Sequence, residues 1–298
     1  MNRKKTDLAK PGGTVLPSGL HYEKLSGAAG QRTRALWEQI FTEDTKAFLA
    51  YYYREKIKDA QIHVLKDESG QIVSMVHANP YTVMLHGTRR KSYYIVGVAT
   101  ASPYRHRGCM AFLLQKAVLQ VKSEGCPFVF LMPADPAIYE PFGFKYGVRA
   151  SVWERSAELR MLMETPVRTC LATGGMTPEF ALTAYTNADA GRLASYAADT
   201  FSRRYDTYCV HDEAYFDRLS RELASENGAL YLLWKRGAVK RLCGYFCYAC
   251  EQEEYLQEVI VEPEAGHLFI EKKNEDRMMF LMLEEGISCG RAYFPEEV

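Results

Sequence analysis

The stretch Tyr93–Phe144 constrains the fold more than any other part of this 298-residue sequence. A β-rich run, residues 93–99, enters a basic turn at 104–108. Apolar residues at spacings of three and four then predict a helix, and Gly125 is a natural residue to end it. A second apolar run, residues 128–132, follows. This order of strand, turn, helix and strand predicts a βαβ unit in a mostly parallel sheet.

The basic turn has the properties of an anion site. The first amides of a helix have no partner within the helix, and the positive end of the helix dipole lies beside them. Arg105 and Arg107 add positive charge, and Gly108 allows the backbone to approach a ligand closely. Taken alone, the turn predicts either a pyrophosphate site or a solvated basic loop before an ordinary amphipathic helix.

Three short segments of this stretch resemble a known family. Arg105–Met110, R-H-R-G-C-M, resembles the acetyl-CoA motif [Q/R]-x-x-G-x-[G/A] of the GNAT acetyltransferases, with Met110 where Gly or Ala is usual. Together with Val98-Ala99-Thr100 and the Tyr-x-x-Phe-Gly-Phe segment Tyr139–Phe144, it resembles the enhanced-intracellular-survival branch of multi-domain GNAT proteins. That branch tolerates a large residue at the last motif position. The resemblance covers roughly residues 20–160 and rests on general pattern over the second half.

The resemblance implies a fold, an activity and a cofactor. The fold class is α/β with a mixed α+β sheet, a tandem GNAT acyl-CoA N-acyltransferase fold whose second copy is degenerate. The implied activity is acetyl-CoA-dependent transfer of an acetyl group to a primary amine by direct attack in a ternary complex, with no metal. A small cationic amine, an aminoglycoside or a Lys side chain would be the acceptor. The alternatives are a non-catalytic acyl-CoA-binding or regulatory module and a structural protein with a relic site.

The resemblance also implies roles for individual residues. Backbone groups at the end of the first strand would hold pantetheine, and the turn would hold the pyrophosphate. The implied cofactor residues are Val98, Ala99, Thr100, Arg105, His106, Arg107, Gly108, Cys109, Met110 and Ala111. Tyr139 would protonate the departing thiolate, since the pKa values of a phenol and a thiol lie within about two units. The alternative for Tyr139 is packing beside Phe142 and Phe144.

The acceptor groove and the general base are harder to assign. Phe41, Phe48 and Tyr52 are expected to line the groove by analogy with the early GNAT helices, or else to be core residues. In the resembling branch the base is a C-terminal carboxylate that a third, sterol-carrier-like domain delivers. We expect this sequence to lack such a domain, so the candidates are the carboxylate of Val298, the side chains of Glu296 and Glu297, or a water relay. An inert terminus is the alternative.

Length and pattern predict two domains with defined bounds. Residues 1–19 are interpreted as a mobile leader, 20–167 as the catalytic domain, 168–176 as a linker and 177–298 as the degenerate copy. In the first domain we expect one helix from Gly30 to Phe48, strands at 62–65, 73–77 and 81–85, and a solvated turn at 89–91. In the second we expect helices at 187–200, with Asn187 as N-cap, and 212–225, and strands at 229–234, 242–249 and 254–261.

Composition excludes several function classes. Basic and acidic residues balance at 37 each, which argues against nucleic acid or an anionic membrane as a partner. No apolar run is long enough to span a bilayer, and the N-terminus lacks the apolar core of a secretory signal. The eight cysteines show no disulfide framework, which favours a reducing cytoplasm. A homo-oligomer is compatible with the resemblance.

Two further patterns leave alternatives open. Cys243, Cys247 and Cys250 are spaced like metal ligands, but on a strand of period two the first two should share a face and the third should not, which favours buried apolar cysteines. From Glu251 to Val298 there are 13 acidic and four basic side chains. This excess predicts either a wall that attracts a cationic amine or a solvated acidic surface.

Overall fold

The computed structural model describes residue 8 and residues 14–164, 179–250 and 254–295. Within these ranges the chain forms helices and one large sheet. The helices are α1 Arg34–Ile40, α2 Lys46–Glu55, α3 Cys109–Ser123, α4 Pro136–Tyr139, α5 Ala157–Glu164, α6 Ala190–Arg204 and α7 Glu213–Ser225. The strands are β1 His21–Ser26, β2 Gln61–Lys66, β3 Ile72–Leu85, β4 Thr88–Thr100, β5 Phe128–Leu131, β6 Lys145–Arg155, β7 Phe180–Ala184, β8 Thr207–Cys209, β9 Ala229–Lys235, β10 Arg241–Cys250, β11 Glu254–Val261, β12 Phe269–Met282 and β13 Ala292–Tyr293.

The sheet is mixed, as the resemblance implied, but the mostly parallel sheet predicted from the order of elements was wrong. Only β4–β5 and β8–β13 are parallel among the described strand pairs, and several neighbouring strands are joined as hairpins rather than through a helix. The main path of the sheet runs β1-β2-β3-β4-β5-β12-β6-β11-β10-β9-β7, and β8 joins it through β3 and carries β13. β4 and β5 are parallel and flank α3 in sequence, which confirms the βαβ unit. Most other neighbours are antiparallel. The mixed α/β fold class is therefore confirmed.

A splay between β4 and β5 opens the middle of this sheet. The two strands pair at Tyr93 with Val129 and at Tyr94 with Phe130. On its other edge β4 stays paired with β3 as far as Thr100. In the described part of the chain, the β5-facing edge of β4 beyond Tyr94 therefore carries backbone groups without a ladder partner, and such groups need partners of another kind.

β12 joins the two halves of the chain. Its last residues pair with β5, and almost its whole length pairs with β6, so a strand from the second half lies between two strands of the first. The sequence analysis did not predict this strand. Its first nine residues are mostly charged and exposed, so they lack the alternating apolar pattern that marks a half-buried strand.

The strand prediction for the first half needs two corrections. The predicted strands at 73–77 and 81–85 are one continuous strand, β3, and the predicted turn at 89–91 belongs to β4. The turn lies instead at His86 and Gly87, whose φ values of 47° and 78° are those of a two-residue hairpin loop. Polar residues at 89–91 misled the prediction because they are outward positions of a long hairpin.

The single helix predicted from Gly30 to Phe48 was also wrong. A 3-10 segment, Gly27–Thr33, leads into α1, which ends where Phe41 leaves helical geometry at φ −103° and ψ 74°. Thr45 then caps α2, its side chain accepting a hydrogen bond from the Phe48 amide at 3.0 Å. The apolar periodicity continues across the break because both helices pack on the same face of the sheet.

In the second half, the two predicted helices and three predicted strands are confirmed as α6, α7, β9, β10 and β11. The predicted N-cap was displaced by one residue. Thr186, not Asn187, forms a reciprocal capping box with Asp189. The order helix, helix, hairpin and strand matches the order in the first half, as expected from the sequence.

The three cysteines of β10 are arranged differently from the prediction. A register shift between Leu242 and Gly244, which has φ 149°, makes Cys243 an extra residue without a counterpart on β9. Cys243 therefore packs with Phe246 on one face, while Cys247 packs in the opposite cluster. Among the described residues, no group of three or more His, Cys, Asp or Glu side chains is placed so that it could hold a metal ion.

Two predicted segments lie largely outside the described residues. The linker 168–176 is outside them entirely. Of the leader 1–19, Leu8 is buried in the core, and Thr14 donates its amide to Gln115 of α3 at 3.1 Å. No described helix is long and apolar enough to cross a membrane.

Candidate acyl-CoA site

The turn before α3 presents backbone amides at the N-terminus of the helix. Gly108 is the N-cap, and within the described part of the chain no side chain caps the first amides of α3. Its φ of 83° is left-handed, and a Cβ added there would meet nothing within 4 Å. The amide of Phe112 is bonded to the Gly108 carbonyl at 3.0 Å, so the amides before Phe112 precede the helical ladder. This geometry is that of an anion site at a helix N-terminus.

His106 gives the turn a second left-handed residue. Its φ is 61°, a conformation that a non-glycine residue adopts at some energetic cost. Tyr104 forms two hydrogen bonds that hold the segment: its hydroxyl donates to Asp67 at 3.1 Å, and its carbonyl accepts from the Cys109 thiol at 3.4 Å. The turn is thus held in shape by the β2–β3 hairpin and by the first residue of α3.

A cleft of about 720 Å³ lies between this turn, the end of β4 and the short helix α4. Nine of the ten predicted cofactor residues line it, namely Val98, Ala99, Thr100, Arg105, His106, Gly108, Cys109, Met110 and Ala111. The structure therefore brings together the β4 edge at the splay and the amides of the turn. A volume of this size falls in the range of small-molecule sites.

Arg107 is the predicted cofactor residue that does not line the cleft. Its guanidinium donates to the Ser18 carbonyl at 2.8 Å and lies 5.4 Å from the centre of the Tyr104 ring. Arg105 does line the cleft, and its Nε donates to the Thr100 carbonyl at 3.1 Å. Of the two arginines in the motif, the first thus faces the cleft and the second supports the turn from outside.

Five lining residues were not predicted to contact a cofactor. They are Ile40, Tyr104, Ile138, Pro141 and Phe142. Pro141 and Phe142 belong to the segment that the sequence had already marked through its Tyr-x-x-Phe-Gly-Phe pattern, and Ile138 immediately precedes it. Nothing in the sequence near Ile40 links it to the motif, because α1 reaches the cleft only through packing against the sheet.

Tyr139 lies beside the cleft at the end of α4. Asp135 caps this helix by accepting from the Ala137 amide at 2.9 Å. The tyrosine is buried, and its ring packs edge-on against Phe144 with centroids 5.8 Å apart. Burial raises the pKa of Tyr139 to about 12. The phenol therefore keeps its proton at neutral pH, but its pKa lies further from that of a thiol than the sequence argument assumed.

The residues predicted to line the acceptor groove are mostly in the core. Phe48 is buried, Phe41 is half-buried beside Trp37, and Tyr52 has no exposed surface. The Tyr52 hydroxyl lies 3.0 Å from His77 Nδ1 and donates to Asn79 Oδ1 at 3.2 Å. Their positions match the packing alternative of the sequence analysis, on the sheet face that carries α1 and α2.

The predicted base, Val298, lies outside the described residues, as do Glu296 and Glu297. Close to them, Phe294 is buried, with its ring centroid 4.7 Å from that of Phe130 on β5. Phe130 pairs with Tyr94, the last residue of β4 before the splay. The described chain thus reaches the sheet beside the splay shortly before these three residues.

The acidic side chains of the last segment are largely paired. Glu264 bonds Lys235 at 3.0 Å and also bonds Arg241, and Glu284 bonds Arg90. Glu275 contacts Lys273 at 2.6 Å. These pairings reduce the net field of the segment, so the count of acidic residues overstates its attraction for a cation.

Comparison with known families tests this assignment. The acetyltransferase (GNAT) domain family matches residues 21–147. The match covers the hairpins, the motif turn, α3, β5 and α4. No sequence among the curated proteins matches the chain.

Solved structures share the fold over most of the chain. A probable N-acyltransferase from Enterococcus faecalis V583 is 13% identical with a TM-score of 0.66, covering 89% of this chain and 72% of its own. Eis1 from Mycobacterium abscessus is 10% identical with a TM-score of 0.59, covering 89% and 74%. The N-myristoyltransferase of Saccharomyces cerevisiae with bound myristoyl-CoA is 11% identical with a TM-score of 0.53, covering 87% and 69%. At such identities the likeness shows the fold.

The match to the GNAT domain supports an N-acetyltransferase enzyme. The similarity in fold extends well beyond the residues that match the family, since these structures align with nearly nine-tenths of the chain. The second half therefore takes part in the shared fold, although the family match ends at residue 147.

Proposed function

We propose that this chain is an acetyl-CoA-dependent N-acetyltransferase that acts on a primary amine. The observation that carries the proposal is the cleft, in which the unpaired edge of β4 and the uncapped amides of α3 face the same space. The first suits the amide groups of pantetheine, and the second suits a pyrophosphate. A GNAT domain match over the same residues supports this interpretation.

In the proposed complex each part of the cleft has a separate task. Backbone groups of Val98 and Thr100 hold pantetheine, and amides from Gly108 to Ala111 hold the pyrophosphate, with Arg105 adding charge. Arg107 acts indirectly, by fixing the turn through Ser18 and Tyr104. Met110 lines the cleft, so the large residue at the last motif position forms part of its wall.

The proposed reaction is direct attack in a ternary complex. The neutral amine forms a bond to the thioester carbon, the carbon–sulfur bond breaks, and the thiolate leaves. The amine loses a proton to a base, for which Val298 and its neighbours Glu296 and Glu297 remain the candidates. The buried, neutral phenol of Tyr139 donates a hydrogen bond to the sulfur as negative charge develops.

We propose two GNAT-like units in tandem, of the enhanced-intracellular-survival type. The bounds remain 20–167 for the first and 177–298 for the second, with the leader 1–19 and the linker 168–176. The pairing of β12 with both β5 and β6 supports a single sheet that continues from one unit into the other. The fold of Eis1 and the matching element order of the halves also support the assignment. A cytoplasmic location and a homo-oligomer stay predictions.

The acceptor is proposed as a class. A small cationic amine, an aminoglycoside-like amine or a Lys side chain is compatible with direct attack. The extensive pairing of acidic side chains in the last segment weakens the electrostatic case for a polycation. A panel of amines, with thiol release as the readout, separates these acceptors.

One observation favours the alternative of a non-catalytic acyl-CoA-binding module. Tyr139 is buried against Phe144 and does not itself line the cleft, although Ile138 and Phe142 do. A binding module would bind acetyl-CoA and release no thiol with any amine. It would also be unaffected by removal of the Tyr139 hydroxyl.

Calorimetric titration of acetyl-CoA tests the proposal. We expect micromolar binding by the wild type and at least tenfold weaker binding by Arg105→Glu, since ion pairs and charge-assisted hydrogen bonds contribute roughly 1.5–3 kcal/mol. Arg203→Glu, at an exposed helical position in the second half, is the matched control and should bind normally. Absence of binding by the wild type, or equal loss in both variants, would overturn the proposal.

A further inference from the structure

A second cavity lies between the two halves of the chain, and we propose that it binds a small anion with carboxylate or phosphate groups. It has a volume of about 490 Å³. Its walls come from the end of α2 and the residues after it, the middle of β3, the start of β4, and the first half of α7 with the segment leading into it. None of its lining residues belongs to the acyl-CoA cleft. The proposed anion site is therefore separate from the proposed cofactor site.

Basic side chains predominate around this cavity. The five basic lining residues are Lys56, Arg89, Arg90, Lys91 and Arg218, and the three acidic ones are Glu55, Asp59 and Asp212. Glu55 bonds Arg54 at 2.9 Å and Lys58 at 3.0 Å, and neither of these lines the cavity. Its charge is therefore balanced from outside the lining, as are those of Arg90 by Glu284 and of Lys56 by Glu222.

Two of these cations have ion partners beyond hydrogen-bond distance. The Arg89 guanidinium is 3.7 Å from Asp212, and the Lys91 ammonium is 3.9 Å from Glu124. Hydrogen bonds between such groups have nitrogen–oxygen distances of about 2.7–2.9 Å. An anionic oxygen that entered the cavity could therefore accept from these donors at closer range than the present carboxylates do.

A buried amide on the cavity wall is the independent observation. Asn79 is 2% exposed and lines the cavity. Its Oδ1 accepts from Tyr52 at 3.2 Å, which identifies the other end of the group as the donor. Among the described residues, Nδ2 has no hydrogen-bond partner. A buried donor without an acceptor is costly, and an anionic oxygen would supply the acceptor.

A buried ion pair also lies at the wall of the cavity. Lys56 is buried, lies 3.6 Å from Glu222 of α7 and donates to Tyr81 at 3.4 Å. Glu222 in turn accepts from Tyr51 at 2.9 Å. A buried ion pair that crosses between the halves fixes both walls relative to each other. A ligand bound here would contact both halves at once.

The test uses citrate and inorganic phosphate as probes, titrated calorimetrically into the full chain at constant ionic strength. We expect wild-type binding of at least one probe with a submillimolar dissociation constant. Arg89→Gln should weaken it at least about tenfold, the effect of losing one charge-assisted hydrogen bond. Arg149→Gln is the matched control, because Arg149 is similarly exposed and also lies 3.7 Å from its acidic partner, Asp276. Its affinity should equal that of the wild type.

A second variant and a competition experiment complete the test. Asn79→Asp keeps the side-chain shape and places a carboxylate on the wall, so it should abolish binding while circular dichroism shows an intact fold. Saturating acetyl-CoA should leave the anion affinity unchanged. No binding to the wild type, an equal effect of Arg149→Gln, or displacement by acetyl-CoA would each overturn the proposal. Acetyl-CoA titration of the same sample reports separately on the cofactor cleft.

Discussion

Replacement of Tyr139 by phenylalanine tests whether its phenol takes part in the proposed reaction. Burial raises its pKa to about 12, whereas an unperturbed thiol has a pKa of about 8.5. Complete proton transfer from this phenol to a thiolate would therefore be uphill by ~5 kcal/mol. A hydrogen bond donated to the developing thiolate has no such cost. We expect the hydrogen bond, rather than complete transfer, to be the contribution of Tyr139 to the rate.

The size of the effect follows from this role. A hydrogen bond to a charged group contributes about 1.5–3 kcal/mol, which corresponds to a decrease in kcat of roughly 10- to 150-fold. KM for acetyl-CoA should change little, because the charge on sulfur develops in the transition state. Since the phenol stays protonated until about pH 12, its ionisation should not produce a loss of activity between pH 7 and 10.

The assay follows thiol release with the amine of the panel that reacts fastest. Tyr146→Phe is the matched control, since Tyr146 is an exposed tyrosine on β6 near the same segment. Removal of the Tyr139 hydroxyl should change the free energy of unfolding by less than ~1 kcal/mol, because no described residue forms a hydrogen bond with it. A kcat within twofold of wild type, or equal losses in both variants, would refute the role of the phenol.

Three other perturbations have definite expected outcomes. Gly108→Val should weaken acetyl-CoA binding at least tenfold, because φ 83° disfavours a β-branched residue, and unchanged affinity in calorimetry would contradict the role of the turn. Thr45→Ala should lower the free energy of unfolding by about 1 kcal/mol, measured with urea, since the cap to Phe48 is lost. Burial lowers the pKa of His77 to about 3 and that of His63 to about 4. Below about pH 6.5 these histidines therefore take up protons in the unfolded chain but not in the folded one, and the free energy of unfolding decreases as the pH is lowered. Between pH 7.5 and 5 each histidine should contribute ~2 kcal/mol of that loss, and a His77→Gln variant with the full loss would contradict this.

The local features of the motif were predictable because their causes are local. Apolar spacing of three and four sets the buried face of α3, and Gly108 supplies the left-handed cap that begins it. Likewise, Asp67 and Gly70 close the β2–β3 turn with their own backbone hydrogen bond at 3.0 Å. Such features depend on residues a few positions apart, so the sequence pattern predicts them directly.

The failed predictions share a different cause. β12 is mostly charged over its first nine residues, and it becomes a strand because it pairs with β5 on one edge and with β6 on the other. The bulge at Gly244 moves Cys243 to the other face, and only the partner strands fix that register. Strand register is set by pairing between distant segments, and a shift of one residue exchanges the faces.

By itself, the sequence of this protein determined the fold class, the order of most elements and the turn that forms one wall of the cleft. The tertiary structure decided what that turn faces. Divergence of β4 from β5 opens the cleft, and packing buries Tyr139 and raises its pKa. The cavity between the halves likewise forms only on folding, which brings Asn79 of the first half and Arg218 of the second to the lining of one cavity. Desolvation and charge depend on all neighbours of a group, and folding alone brings those neighbours together.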